Sequence, residues 1–373
     1  MNRGNATGAR AASAGWPSTG GGNWLYFDVH GLVRIRVEAG HPSERSVRLV
    51  FGPFQTDGQD SADLTLQYRV PEMGEHSFAS ESYLFGDGHV YLKDYRLHLM
   101  RTGEQFTLAS RRDLLPFVPP VVQTLLLRRQ HCLVHSAAVA VGERGVLLPG
   151  WGGTGKTSAI ICLLKQLPEA AFMSDDYAIV SEDGRVLSFP KAFFIYPYHR
   201  GLFPHLFQAR HKPLVPVWLS GMLERLRTVV RPTIMAFPRL ENLARRFTPE
   251  HMQVPARTAL PDARFVEIAG IDQVLFVERY SGGQARLDEL APAEVTRRLM
   301  GNWYYEQGRC ARDLLLGAAG VGVLDYESYF GGMARVLRSA LGGRKVYRLR
   351  MGQMSPGQTG QAVIDAVREI LRG

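Results

Sequence analysis

Hydrophobic and polar residues alternate along the first third of the chain, with the period of two that is typical of a half-buried β-strand. Turn-forming residues such as Gly86-Asp-Gly separate the alternating runs. This alternation predicts a small antiparallel sheet within a β-rich N-terminal domain over residues 23–112. The runs are Trp24–His30, Leu32–Val37, Ser46–Phe51, Leu64–Val70 and His89–Lys93.

From residue 113 onward the pattern changes to alternating helices and strands, and we expect this second domain to extend to residue 373. An apolar helix is predicted over Leu114–Arg129, followed by strands at Cys132–Val141 and Gly145–Leu148. A glycine-rich loop, a helix over Thr157–Leu167 and a strand from Ala171 come next. The order strand, glycine loop, helix and strand is typical of α/β nucleotide-binding proteins.

Residues 196–263 are rich in proline, arginine and aromatic side chains. They predict short helices and long loops, which inside an α/β enzyme favour a lid or a substrate-binding insertion. Beyond this insertion we expect a strand at Gln273–Glu278, helices over about 292–306 and 325–340, a strand at Lys345–Arg350 and a last amphipathic helix over about 358–372.

The charge and composition of the chain indicate which ligands it binds and in which cellular compartment it lies. The net charge of +9 favours anionic ligands such as nucleotides. Nucleic-acid binding is disfavoured because basic residues do not cluster with aromatic ones. Three scattered cysteines predict neither a disulfide scaffold nor a cysteine zinc site, and so indicate a reduced, cytoplasmic protein.

The same sequence predicts neither a membrane span nor a secretory signal. The most apolar stretch, Leu114–Leu127, has 14 residues and three prolines, whereas a span needs about 20 residues. Residues 1–22 are rich in Gly, Ala and Ser and lack an apolar segment, which predicts a flexible tail.

One segment matches the phosphate-binding pattern G-x-x-x-x-G-K-[ST]. The matching residues are Gly150-Trp-Gly152-Gly153-Thr154-Gly155-Lys156-Thr157, followed by Ser158. In such a loop successive backbone N–H groups surround a phosphate, the lysine neutralises phosphate oxygens, and the hydroxyl after it binds Mg²⁺. On the order of 0.006 chance matches are expected in a chain of this composition, so the sequence predicts a nucleotide site.

Two further features lie near this loop in sequence. Asp175 and Asp176 follow an apolar run at the predicted end of a strand. Two adjacent carboxylates can divide the work, one holding Mg²⁺ and the other accepting a proton from an attacking hydroxyl. His135 lies among apolar residues, where a core histidine is the commoner outcome, so the residues alone leave its role open.

Together, these three features resemble the HPr kinase/phosphorylase family and its PEP-carboxykinase-like P-loop relatives. The matching segments are His135-Ser-Ala-Ala, Gly150–Thr157 and Ser174-Asp175-Asp176. The specific resemblance covers residues 130–182, and a looser one covers 273–373. It is closer to the broad set of HPr-kinase-related serine kinases, because the downstream signature loop of the HPr enzyme and its glutamate are missing.

The resemblance implies an α/β fold with a P-loop core of the HPr kinase/PEP carboxykinase type and an N-terminal, mostly antiparallel β domain. It implies Asp175 as general base, Asp176 with Thr157 at the metal, Lys156 on the transferring phosphate, and His135 near the γ-phosphate. An arginine of the later loop would stabilise the transferred charge. Of Arg200, Arg210 and Arg231, Arg200 is preferred because it follows an aromatic run close to the core.

These expectations add up to an ATP- and Mg²⁺-dependent kinase whose acceptor is a hydroxyl, most simply a serine of a protein or peptide. Two alternatives stay open. One is a nucleotide-binding regulatory module that transfers no phosphate, and the other is a kinase of a small metabolite. The sequence does not identify the acceptor or the nucleotide. It also leaves the oligomeric state open, and a homo-oligomer is one of the possibilities.

Overall fold

The computed structural model describes residues 24–58, 61–69, 78–86, 88–208, 251–352 and 354–372. Over these ranges the chain is an α/β protein, as the sequence predicts, and it is built on two large sheets. The tail 1–22, most of the expected insertion, Arg210 and Arg231 lie outside the described residues.

The N-terminal sheet has nine strands in the order β3-β1-β2-β4-β9-β8-β7-β6-β5. Most neighbouring strands are antiparallel, but β4 pairs in parallel with both β2 and β9. The sheet is therefore larger and more mixed than the alternation predicts. Its strands are β1 (Trp24–Val29), β2 (Val33–Glu38), β3 (Gln55–Thr56), β4 (Leu64–Gln67), β5 (Phe78–Ala79), β6 (Tyr83–Gly86), β7 (His89–Leu92), β8 (Leu97–Thr102) and β9 (Gln105–Ala109).

The strand predicted over Ser46–Phe51 is wrong, because this segment is a helix, α1 (Glu44–Phe51). Val47, Val50 and Phe51 are buried, at the spacing of three and four residues that one helix face requires. On the same helix Arg48 pairs with Glu44, with 3.2 Å between Nε and Oε1. Six residues were too few to separate a helical period from an alternation.

The second sheet has eight strands in the order β11-β10-β13-β14-β17-β19-β18, with β12 paired to β10. Strand β11 also pairs with β17, which closes a ring of five strands. The strands are β10 (His131–Val141), β11 (Arg144–Pro149), β12 (Ala170–Ser174), β13 (Tyr177–Ser181), β14 (Arg185–Leu187), β17 (Ile268–Arg279), β18 (Arg286–Leu290) and β19 (Val346–Met351); β15 (Phe193–Ile195) and β16 (Met252–Val254) form a separate pair.

Apart from α1, the helices follow the predicted order closely, and the sequence missed one of them. The missed helix is α7 (Gly308–Gly320), whose buried residues Ala311, Leu314, Leu315 and Ala318 share one face. None of the described helices is long and apolar enough to cross a bilayer. The remaining helices are α2 (Val118–Arg128), α3 (Lys156–Gln166), α4 (Pro204–Gln208), α5 (Ala256–Ala259), α6 (Pro292–Glu306), α7 (Gly308–Gly320), α8 (Tyr326–Leu341) and α9 (Pro356–Arg372).

Two apolar clusters form the core. The larger one is continuous from the N-terminal sheet through α2 and α8 to one face of β10 and β13. The smaller one fills the space between the second sheet and the paired helices α3 and α9. Polar contacts also join the N-terminal sheet to α7, since the Tyr95 hydroxyl donates to Oδ2 of Asp313 over 2.5 Å. The two sheets are thus packed on a shared core.

Candidate functional site

The loop Gly150–Gly155 connects β11 to α3 and depends on its glycines. Gly150 bridges to Val277 of β17, and a Cβ at this position would lie 2.5 Å from the Val277 carbonyl oxygen. Gly155 has a φ of +97°, and a Cβ there would lie 2.6 Å from Cγ2 of Thr359. The loop can therefore pass close to β17 and α9 only with glycine at these two positions.

Helix α3 begins directly after this loop, at Lys156. Its N-terminus carries unpaired backbone N–H groups and the positive end of the helix dipole, both of which favour an anion. The Lys156 side chain is buried, and Nζ donates to the carbonyl oxygens of Gly150 (2.7 Å) and Trp151 (3.1 Å). Burial lowers the pKa of Lys156, although nearby carboxylates oppose this shift.

Asp175 lines the same cleft as the loop and lies at the turn between β12 and β13. Burial, followed by the charge of Asp176, raises the pKa of Asp175 to about 6, while a hydrogen bond from Thr157 opposes the rise. Its Oδ1 is buried and has no hydrogen-bond partner among the described residues. Asp175 as a whole is only partly buried and lines the cleft, so the accessible part of its carboxyl can meet a ligand there.

Asp176, the next residue, has the opposite environment. Its Oδ1 accepts a hydrogen bond from Nε2 of His135 over 2.6 Å, and its Oδ2 pairs with the buried ammonium of Lys191. Burial alone would raise the pKa of Asp176, but Lys191 and His135 hold it well below its usual range. The pKa values of the two neighbouring carboxyls are therefore shifted in opposite directions, which is a common feature of acid–base sites.

Asn302, on α6, connects His135 to the glycine loop. The amide Nδ2 of this fully buried residue donates to the carbonyl oxygens of His135 (3.3 Å) and Gly150 (3.1 Å). These two bonds fix the orientation of the amide, so Oδ1 is the atom that faces Nδ1 of His135, at 3.3 Å. Both ring nitrogens of His135 therefore lie within hydrogen-bond distance of side-chain oxygens, Oδ1 of Asn302 and Oδ1 of Asp176.

The lining of the cleft also includes a third cation and a set of aromatic side chains. Arg279 donates from Nη1 to the carbonyl of Gly352 (2.8 Å) and from Nη2 to Oγ1 of Thr359 (3.1 Å). Tyr196 and Tyr198 stack in parallel with their ring centroids 5.4 Å apart. Next to them, burial lowers the pKa of His199 to about 4, so its ring is neutral at pH 7.

These groups enclose a cleft of about 290 Å³. Nine residues singled out from the sequence line it: His135, Gly152, Gly153, Gly155, Lys156, Thr157, Ser158, Asp175 and Asp176. Gly150 and Thr154 belong to the loop but do not line the cleft. Arg200 is exposed and lies outside this lining, where Arg279 and Lys191 supply the cationic side chains in addition to Lys156.

Sequence reasoning missed Lys191, Arg279, Asn302 and Glu306. One signal could have found Lys191, because the chain holds only six lysines among its 44 basic residues, and two of the six line this cleft. The other three come from β17 and α6, more than 100 residues after the loop. Only the parallel pairing of β11 with β17 and the packing of α6 on β10 bring them to it.

No protein-family model matches the chain, and no curated protein matches it either. The geometry of the cleft and the sequence motifs are therefore the two sources of information on function.

Proposed function

We propose that this chain is an ATP- and Mg²⁺-dependent kinase with a P-loop core, which transfers a γ-phosphate to a hydroxyl group, in particular a serine of a protein or peptide. The observation that carries the proposal is Asp175. Its carboxyl has a raised pKa and an unpartnered buried oxygen, and it shares one cleft with the glycine loop, Lys156 and Thr157. A candidate base therefore lies beside a candidate phosphate site.

The phosphate chain of ATP would bind at the N-terminus of α3. Loop N–H groups and the helix dipole favour it there, and three cationic side chains, of Lys156, Lys191 and Arg279, line the same cleft. Lys156 would exchange two neutral carbonyl partners for a charged phosphate oxygen, which is the stronger partner. Arg279 replaces Arg200 as our candidate for stabilising the transferred charge.

The residues present fit a magnesium ion, which usually takes one or two carboxylates together with substrate phosphates and waters. Among the described residues no group of three His, Cys, Asp or Glu side chains is placed to hold a metal ion, and Mg²⁺ does not need such a group. Thr157 and Asp176 would hold the ion, and Asp176 would then give up its contact with Lys191. When bound, Mg²⁺ neutralises charge on the phosphate oxygens.

Asp175 would act as the general base. At pH 7 a carboxyl with a pKa of about 6 is mostly ionised, so it can accept the proton of the acceptor hydroxyl. The hydroxyl oxygen then bonds to the γ-phosphorus while the bond from phosphorus to the ADP oxygen breaks. His135 would keep Asp176 in place through the hydrogen bond to its Oδ1. The exposed rings of Phe194 and Tyr198 at the cleft would pack against the acceptor.

Nucleotide binding without transfer is the second candidate. The observation that favours it is that Lys156 and Asp176 both have protein partners already, so neither needs a reacting ligand.

Phosphoryl transfer distinguishes the two candidates. We would incubate the protein with γ-labelled ATP and Mg²⁺ in a host lysate that lacks this protein, and compare wild type with Asp175→Asn. We expect a labelled protein or peptide with wild type only, while Asp175→Asn still binds ATP. Asp365→Asn, at an exposed position on α9, is the matched control and should label like wild type. ATP binding that depends on Lys156, without any labelled product, would favour nucleotide binding without transfer.

A further inference from the structure

Glu306 ends helix α6 with its carboxylate against the glycine loop. Its Oε1 accepts a hydrogen bond from the backbone N–H of Gly152 over 2.9 Å and lies 3.8 Å from Nδ1 of His135. A Cβ on Gly152 would lie 3.4 Å from the same oxygen, so the carboxylate packs directly on the loop backbone. Its side chain is 28% exposed, and it lines the same cleft as Lys156 and Thr157.

A carboxylate that accepts a loop N–H occupies a position suited to a phosphate oxygen, because both are anionic acceptors. The loop therefore already holds an anion that belongs to the protein. A phosphate group that takes the Gly152 N–H must displace Glu306, and a phosphate that binds next to it faces a like charge at short range.

We propose that Glu306 is a specificity-determining residue of this site, selecting anions whose charge a divalent cation has partly neutralised over free anions. The inference rests on the proposed nucleotide function. Free ATP carries more negative charge than its Mg²⁺ complex, so repulsion by Glu306 acts more strongly against the free form. The residue thereby disfavours unproductive occupation of the loop by metal-free nucleotide.

Calorimetric titration of the full chain with ATP tests this role, once with Mg²⁺ and once with a chelator. Glu306→Gln keeps an oxygen acceptor for the Gly152 N–H but removes the charge. We expect Glu306→Gln to bind ATP roughly three- to tenfold tighter than wild type, with the larger gain in the chelator. Glu306→Ala, which frees the Gly152 N–H, should also bind metal-free ATP more tightly.

Glu294→Gln is the matched control, since Glu294 lies on the same helix but pairs with Arg298, with 2.8 Å between Nη2 and Oε1. It should titrate like wild type. If both Glu306 variants bind ATP more weakly than wild type, Glu306 merely supports the loop and the inference fails. It also fails if their affinity changes from wild type by the same factor with Mg²⁺ as with the chelator. If Lys156→Ala binds ATP as wild type does, or neither binds it, the nucleotide site itself fails, and the proposed function fails with it.

Discussion

Asp176 and Lys191 stand 15 residues apart in the chain and form an ion pair at the floor of the cleft. The Lys191 side chain is 8% exposed and also lies over the Tyr177 ring, 4.7 Å from its centroid. Burial alone would lower the pKa of Lys191, but Asp176 outweighs burial and raises it. Each charge therefore depends on the other to remain ionised in this environment.

Lys191→Gln should destabilise the fold by about 1–3 kcal/mol at pH 7, because Asp176 is left without its cation. The lowered pKa of Asp176 makes this stabilisation present above its ordinary pKa of 3.8 and lost as the pH falls further. The raised pKa of Lys191 makes it disappear as the pH rises above 10.5. Urea unfolding at pH 3, 5, 7 and 9 measures the difference.

The matched control is Lys165→Gln, at an exposed position on α3 where Nζ donates to the Leu202 carbonyl over 3.1 Å. We expect a change within about 0.5 kcal/mol for this variant at every pH. A difference between Lys191→Gln and wild type that stays constant down to pH 3 would contradict the ion pair as its source.

Asp175→Asn should stabilise the protein at pH 7–8 by about 1–3 kcal/mol while abolishing transfer. The raised pKa of Asp175 means that the folded state resists ionisation, so stability is full below the ordinary pKa and declines as the pH rises through about 6. The neutral amide removes that penalty. Melting temperatures at pH 4 and pH 8 test this prediction, since the gain should vanish at pH 4. Equal gains at both pH values would show that packing, not charge, is responsible.

The pH dependence of transfer should follow the same carboxyl. Because Asp175 must be ionised to accept a proton, kcat should rise with pH through about 6 and fall roughly tenfold between pH 7.5 and pH 5. Single-turnover transfer from γ-labelled ATP measures this rate, with ATP binding measured in parallel to remove effects on affinity. A rate that is flat across this range would exclude Asp175 as the base.

The sequence predicts the centre of this site well because the motif is local. The pattern from Gly150 to Thr157 places the loop and the first residue of α3 within one position, and the turn at Asp175 and Asp176 follows from the apolar run before it. The tight turns and the helix start depend on residues that adjoin each other in the chain.

The surroundings of the site depend on long-range pairing, which no local pattern encodes. Asn302 reaches His135 across 167 residues, and Arg279 arrives only through the parallel register of β17 with β11 and β19. A shift of one residue in that register would turn Arg279 to the other face of the sheet. In the N-terminal sheet, likewise, alternation of hydrophobic and polar residues does not predict that β4 pairs in parallel with β2 and β9.

The two left-handed glycines of the loop allow strain and steric contact to be separated. Gly153 has a φ of +76° and open space where an alanine methyl would lie, whereas Gly155 has a φ of +97° and Thr359 Cγ2 only 2.6 Å from the corresponding point. Gly153→Ala should therefore lower the free energy of unfolding by about 1–2 kcal/mol, from backbone strain alone. Gly155→Ala should lower it by more, and should weaken ATP binding more than Gly153→Ala does. Adding Thr359→Ser to Gly155→Ala removes the clashing methyl but keeps the hydroxyl that Arg279 contacts. The double variant should therefore regain part of the lost free energy of unfolding, measured by urea unfolding. A double variant no more stable than Gly155→Ala would assign the whole effect to the backbone of the loop.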